Sequence, residues 1–263
     1  MDLNVTDKVF MVAAASKGLG YGIALELAKN GATVCIASRT KNEIEQTAKK
    51  LHHETGAKVH ASVFDASDKD SIQNWISEVN EKFGRIDGLA VNAGGPPPGN
   101  FDDFSDSDWK AAFNLTLMSA VRLIRGVLPA MRKTGEGAIL TVTSLSVKEP
   151  IDGLLLSNVF RSGVTSLVKS LANELANDQI RINNLMPGRF DTDRLKSLDK
   201  NTAKKTGSSV EEIRKKNESK IPVGRYGTVE EFGKAGAFLL SPVASYITGV
   251  SLAVDGGVLK TVW

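Results

Sequence analysis

Three residue types are scarce in this chain of 263 residues, and each scarcity narrows what the protein can be. The one cysteine, Cys35, lies in an apolar run, so no internal disulfide framework exists and a reducing compartment is expected. The three histidines, His52, His53 and His60, have no partner ligands at usable spacing, so no metal site is expected. The three tyrosines are Tyr21, Tyr226 and Tyr246, and none stands in the middle of the chain. The start, Met-Asp-Leu-Asn, lacks the basic, apolar, small-residue order of a signal peptide. No uninterrupted apolar run reaches the ~18 residues of a membrane span. A net charge of +3, with no Lys/Arg cluster interleaved with aromatics, gives no reason to expect nucleic acid as a partner. A soluble, cytoplasmic protein without membrane or nucleic-acid partners is the expectation.

What the chain does have is alternation. Hydrophobic content of 41% and charged content of 24% suit one globular domain over residues 1–263. Short apolar or β-branched runs predict strands over 8–13, 33–38, 58–64, 86–91, 138–143, 181–185 and 251–254. Between them, helical patterns run over 18–30, 41–55, 68–83, 107–131, 154–177 and 230–240. Strands alternating with helices imply right-handed crossovers and a mainly parallel, doubly wound α/β sheet with helices on both faces. The segment 191–221 breaks the rhythm, being charged and poor in apolar residues. Two readings of it stay open: a lid over a substrate pocket, or a solvated, partly helical insertion.

Between the first strand and the first helix lies Ala13-Ala14-Ala15-Ser16-Lys17-Gly18-Leu19-Gly20. Small residues there let the backbone approach a pyrophosphate, and the helix N-terminus offers N–H groups and a positive dipole end. This placement predicts a Rossmann-type dinucleotide site. The second strand ends Ser38-Arg39-Thr40, with no acid to hold a ribose 2′-hydroxyl. Arg39 and Lys17 instead offer positive charge to a 2′-phosphate, so NADP(H) is favoured over NAD(H).

From about Leu3 to Asp255-Gly256-Gly257 the pattern resembles the short-chain dehydrogenases/reductases, above all their 3-oxoacyl-(acyl carrier protein) reductase-like branch. Ala13-Ala14-x-x-x-Gly18-x-Gly20 stands where that family has Thr-Gly-x-x-x-Gly-x-Gly. The resemblance implies adenine contact at Asp65 with Ala66 beside it, and support of the sheet and ribose by Asn92-Ala93-Gly94. It also implies contact of Pro187-Gly188 and Thr192 with the nicotinamide end. Ala14 replaces the first glycine of the loop, which is harmless at negative φ and costs roughly 1 kcal/mol or more at positive φ.

The family's active site is Asn, Ser and Tyr-x-x-x-Lys. Asn114 and Ser144 stand at the first two positions. Thirteen residues beyond Ser144, where the family often has its Tyr, stands Ser157, and Arg161 stands for the Lys. A serine is a far weaker acid than a phenol, and a guanidinium stays protonated and cannot join a proton relay. Losing acid catalysis typically costs ~10²–10⁴-fold. Lys148 and Asp152 are outside candidates for a replacement donor, against the plainer reading of Lys148 as a surface cation paired with Glu149.

The resemblance implies an NADP(H)-dependent oxidoreductase acting on a small carbonyl or alcohol, with Arg161 also near the cofactor ribose. The alternative is a non-catalytic relative that binds NADP(H) or another small ligand as a sensor or partner subunit. The family likeness further implies a homotetramer, built through the helices 107–131 and 154–177 and the last strand.

Overall fold

The apolar runs are strands, and they pair in one sheet. They are β1 (Val9–Ala13), β2 (Thr33–Ser38), β3 (Val59–Val63), β4 (Gly88–Val91), β5 (Gly137–Val142), β6 (Ile180–Pro187) and β7 (Ser251–Val254). This computed structural model describes residues 2–262. The 7-stranded sheet has the order β3-β2-β1-β4-β5-β6-β7, and every pairing is parallel. Because β1 pairs with both β2 and β4, the winding direction reverses there, leaving a crevice at the carboxyl ends of β1 and β4. The fold is the Rossmann-type doubly wound α/β arrangement expected from the sequence.

Helices α1 (Gly18–Lys29), α2 (Lys41–Thr55) and α9 (Val229–Leu240) belong to one face. Their apolar residues, Ile23, Leu27, Ile44 and Phe232 among them, bury with Phe10, Val12, Ile36 and Leu140 of the strands. On the other face α3 (Lys69–Phe83), α5 (Ser119–Thr134) and α6 (Leu155–Glu174) contribute Trp75, Leu123, Val127 and Val164 against Met11, Leu89 and Ile139. Alternate residues of one strand thus feed two cores, as a sheet covered on both sides requires.

The helix expected over 107–131 is interrupted. It consists of α4 (Asp106–Phe113), a π-helical turn (Asn114–Met118) and α5. The Ser119 N–H donates to the Asn114 carbonyl, five residues back. The Ser119 hydroxyl donates to the carbonyls of Leu115 (2.6 Å) and Thr116 (3.2 Å), compensating the widened turn. The composite helix, Asp106–Thr134, is long and apolar enough to cross a membrane by length and composition, its most apolar 18-residue stretch having a mean hydropathy of 1.3. Here Leu123, Ile124, Val127 and Met131 of that run are core residues.

Residues 191–221 are not an irregular loop. They fold as α7 (Asp193–Thr206) and α8 (Val210–Glu218). Thr192 caps α7 through the Leu195 N–H, and Ser209 and Glu212 form a reciprocal capping box on α8. A buried cluster pins the pair down. The Tyr226 hydroxyl donates to Asp199 (2.9 Å), Asn217 Nδ2 donates to the other Asp199 oxygen (3.0 Å), and Leu195 packs with Ile221.

Candidate active site

The loop after β1 is built by close backbone approach. The Ala15 N–H donates to the Ala37 carbonyl (3.1 Å), and Asn92 Nδ2, at the end of β4, donates to the Ala14 carbonyl (3.3 Å). A Cβ on Gly20 would sit 2.6 Å from that same carbonyl oxygen and 2.9 Å from Asn92 Nδ2, so only glycine fits. Ala14 has φ +50°, so the substitution falls on the strained side, at roughly 1 kcal/mol. The Thr47 hydroxyl holds the Ser16 carbonyl (2.8 Å), and Lys17 precedes α1 in extended backbone. α1 begins without a side-chain cap and without an acid in its first turn, whereas α3, α4, α7, α8 and α9 all carry capping side chains. Its leading N–H groups and dipole are therefore open to an anion.

Arg39, exposed at the end of β2, has no hydrogen bond or ion pair among the described residues, and its charge reaches Asp65. The Asp65 carboxylate accepts from the Ser67 N–H (2.8 Å) and hydroxyl (2.7 Å), bonds that, with Arg39, hold its pKa below the usual range. Ala66 is buried beside it. Lys17 does not join Arg39. Its ammonium faces Asp193 at the start of α7 (3.9 Å), so of the two expected cations only Arg39 lacks an acidic partner within ion-pair distance among the described residues. Ala93 and the exposed Gly94 follow Asn92 along the crevice. Pro187 ends β6, Gly188 is pressed against Asp255, and the Thr192 methyl lies 3.7 Å from where a Gly18 Cβ would be. The start of α7 therefore closes over the nucleotide loop.

Three of the four expected catalytic positions, Ser144, Ser157 and Arg161, stand at the carboxyl end of β5. Ser144 follows that strand, and its oxygen accepts from the Ser146 N–H (3.1 Å), leaving its own O–H free to donate. Asn114 opens the π turn, and its side-chain oxygen accepts from Arg122 (3.3 Å). From α6, Arg161 Nε donates to the Ser157 hydroxyl oxygen (3.1 Å). Arg161 Nη1 donates to the carbonyls of Val142 (2.8 Å) and Thr143 (3.0 Å). Although the residue is only half-buried, its guanidinium head is desolvated. That desolvation, with the nearby Arg194 charge, lowers its pKa to about 10, so it stays protonated at neutral pH. A small enclosed space beside it, room for about one water, is lined by Thr116, Thr141 and Thr143, and the buried Thr116 hydroxyl has no partner in the structure.

Lys148 is exposed and is not paired with Glu149, contrary to the plainer expectation. The Glu149 carboxylate accepts instead from the Lys260 N–H (3.4 Å). His60 bonds Glu78 (2.7 Å) away from the crevice, and among the described residues no group of three potential metal ligands occurs.

One cleft residue escaped the sequence reading. Arg194, in the first turn of α7, reaches across to Gly95, where a Cβ would lie 2.9 Å from its guanidinium carbon. Gly95 follows Asn92-Ala93-Gly94, and the extra glycine was the available signal.

The comparisons with known proteins match this geometry. The sequence profile of the enoyl-(acyl carrier protein) reductase family matches residues 13–259. The 3-oxoacyl-[acyl-carrier-protein] reductase FabG of Chlamydia muridarum is 31% identical over 259 residues, covering 98% of this chain and 99% of its own. L-Sorbose reductase from Gluconobacter frateurii, solved with NADPH and L-sorbose, superposes with a TM-score of 0.95 at 30% identity, covering 100% of both chains. A 7α-hydroxysteroid dehydrogenase solved with NADH and 7-oxo glycochenodeoxycholic acid superposes with a TM-score of 0.90 at 28% identity, covering 100% of this chain and 98% of its own. With a seven-stranded parallel sheet, a glycine loop at its switch point and relatives of full length, the chain belongs to the short-chain dehydrogenase/reductase family.

Proposed function

We propose that this protein is an NADP(H)-dependent oxidoreductase that reduces a small carbonyl compound, in the manner of 3-oxoacyl-(acyl carrier protein) reductases, with Ser157 and Arg161 in place of tyrosine and lysine. The observation that carries the reading is the uncapped, acid-free start of α1 behind a loop that only Gly20 can close, with the unpaired Arg39 at the neighbouring strand end. These residues fit a dinucleotide: the α1 amides for its pyrophosphate, Arg39 for a 2′-phosphate, Asp65 and Ala66 for the adenine end. Asn92, Gly94, Pro187, Gly188 and Thr192 flank the remaining length. The bound nicotinamide would supply the hydride.

The chain's own part is to position and polarise. The Ser144 O–H is free to donate to a substrate oxygen, and the Ser157 O–H is likewise free while its oxygen accepts from Arg161. A fixed positive charge beside that oxygen stabilises negative charge developing there. Neither group matches a phenol as an acid, so turnover on simple ketones is expected to be slow by ~10²–10⁴ relative to a tyrosine-based site. The covering helices α7 and α8 serve as the lid. Outward-facing Phe113 and Val159 on α4 and α6 support assembly as a homotetramer, which light scattering would test.

The absence of a phenol or ammonium at positions 157 and 161 favours a second reading, a non-catalytic binder of the same cofactor. Calorimetric titration with NADPH and NADH in parallel tests both. NADPH binding at least ~10-fold tighter than NADH, with Arg39→Ala erasing the difference, is the expected result. NADPH oxidation on addition of carbonyl compounds then separates enzyme from binder. No binding of either nucleotide would overturn both readings.

A further inference from the structure

The cleft holds more positive charge than its own residues answer. Arg161 has five N–H donors, of which Nε and Nη1 serve Ser157, Val142 and Thr143. Among the described residues its Nη2 has no partner. Arg194 has neither a hydrogen bond nor an ion pair among the described residues, although its guanidinium is lodged over Gly95. Two adjacent glycines connect the heads: Gly94 lines the small space at Arg161, and the Arg194 guanidinium lies against Gly95. Each charge is partly desolvated, and Arg194 is near enough to disfavour protonation of Arg161.

Four acids have partners elsewhere, and the exposed Asp152, in the loop before α6, makes no ion pair with either arginine. Asp191 pairs with Lys196 (3.5 Å) and Arg214 (3.4 Å), and Asp193 faces Lys17 (3.9 Å). Asp199 is taken by Tyr226 and Asn217, and Asp255 by the N–H groups of Gly257 and Leu259. Two like charges drawn together without a counterion are costly unless an anion completes the set. Planar guanidinium groups with spare N–H pairs suit a carboxylate or a phosphate, and the small space at Arg161 favours the less bulky of the two, the carboxylate.

We propose that the substrate carries a carboxylate, bound between Arg161 Nη2 and the Arg194 guanidinium. The protein is then selective for oxo acids over neutral ketones. The replacement of tyrosine and lysine by Ser157 and Arg161 thereby changes substrate recognition as well as proton supply. The word substrate rests on the oxidoreductase reading above; the anion site itself does not.

The test is calorimetric titration of acetoacetate and malonate, each beside its methyl ester or diester, into protein with and without saturating NADP⁺. The expected result is that the acids bind at least ~10-fold tighter than the esters. Arg194→Leu removes that preference and keeps NADPH affinity within about threefold, while Arg194→Lys keeps part of the preference. Equal binding of acids and esters, or no binding of any of the four, would overturn the proposal. So would an Arg194→Leu variant that loses NADPH affinity but keeps the preference, since Arg194 would then serve the cofactor. Should the wild-type protein bind no NADPH, the oxidoreductase reading fails by itself, and the cofactor-free titration still decides the anion site.

Discussion

The two ends of the sheet treat charge in opposite ways. At the amino ends of the strands, charge is matched. The Asp87 side chain, 3% exposed, accepts from the Val9 N–H (2.8 Å) and, in bidentate fashion, from Nε and Nη2 of Arg85 (2.8 and 2.6 Å). Lys8 stands between Asp87 and Glu136. Arg181 donates to the carbonyls of Leu239 (2.8 Å) and Ser241 (2.8 Å) at the close of α9, where the helix dipole is negative. At the carboxyl ends, Arg39, Arg161 and Arg194 have no carboxylate within ion-pair reach among the described residues. Arg181 and Arg161 make an instructive pair. Burial lowers the pKa of both and backbone carbonyls hold both, but Arg181 spends its donors on a helix end while the Nη2 of Arg161 keeps its two N–H groups without a partner among the described residues. Matched charge locks the fold; unmatched charge waits for a ligand.

The contrast can be broken at either end. Asp87→Ala removes the acceptor of a buried network and should destabilise the protein by about 3–5 kcal/mol in urea unfolding, with nucleotide affinity of the folded fraction unchanged. Gly20→Ala acts oppositely. Its Cβ drives into the Ala14 carbonyl, so NADPH affinity should fall by roughly 100-fold, a cost of about 2.7 kcal/mol at the site, with a smaller loss of global stability. Ala14→Gly should relieve the φ of +50°, raising stability by about 1 kcal/mol and tightening NADPH binding several-fold. The smallest effect concerns pH. With Arg161 near a pKa of about 10, carboxylate binding should be flat from about pH 6 to 9 and fall only above that. The stability sign follows from the same shift. Because the folded group loses its proton before the unfolded one, the penalty of burying the cation is constant below pH 10 and is relieved as pH rises beyond it. A carboxylate isotherm that titrates between pH 6 and 8 would point to a different cation.

Much of this was legible in the residues. The strand runs, the glycine loop at the switch point, and Ser144, Ser157 and Arg161 at one strand end all stand where their spacing put them. The π turn at Asn114 was not readable, because one added residue leaves the apolar pattern on both sides intact and shifts only its phase. In 191–221 the sequence left a partly helical insertion open without its bounds, because apolar residues are few, although Thr192, the Ser209–Glu212 box and Gly207 are capping signals in plain view. Lys17 stands 3.9 Å from the Asp193 carboxylate, a neighbour so remote in sequence that no local pattern shows it. Arg194 could not be found by local pattern at all, since what matters is the place it reaches across the cleft.

The π turn also limits how this chain can change. Removing one residue from Asn114–Met118 would restore an ordinary helix, but each α-helical residue turns the axis by about 100°. Either α4 and Asn114 would turn through that angle, or Leu123, Ile124, Val127 and Met131 would rotate out of the core. Point substitutions at 157 and 161 are therefore open to drift while the chain length through this helix is frozen.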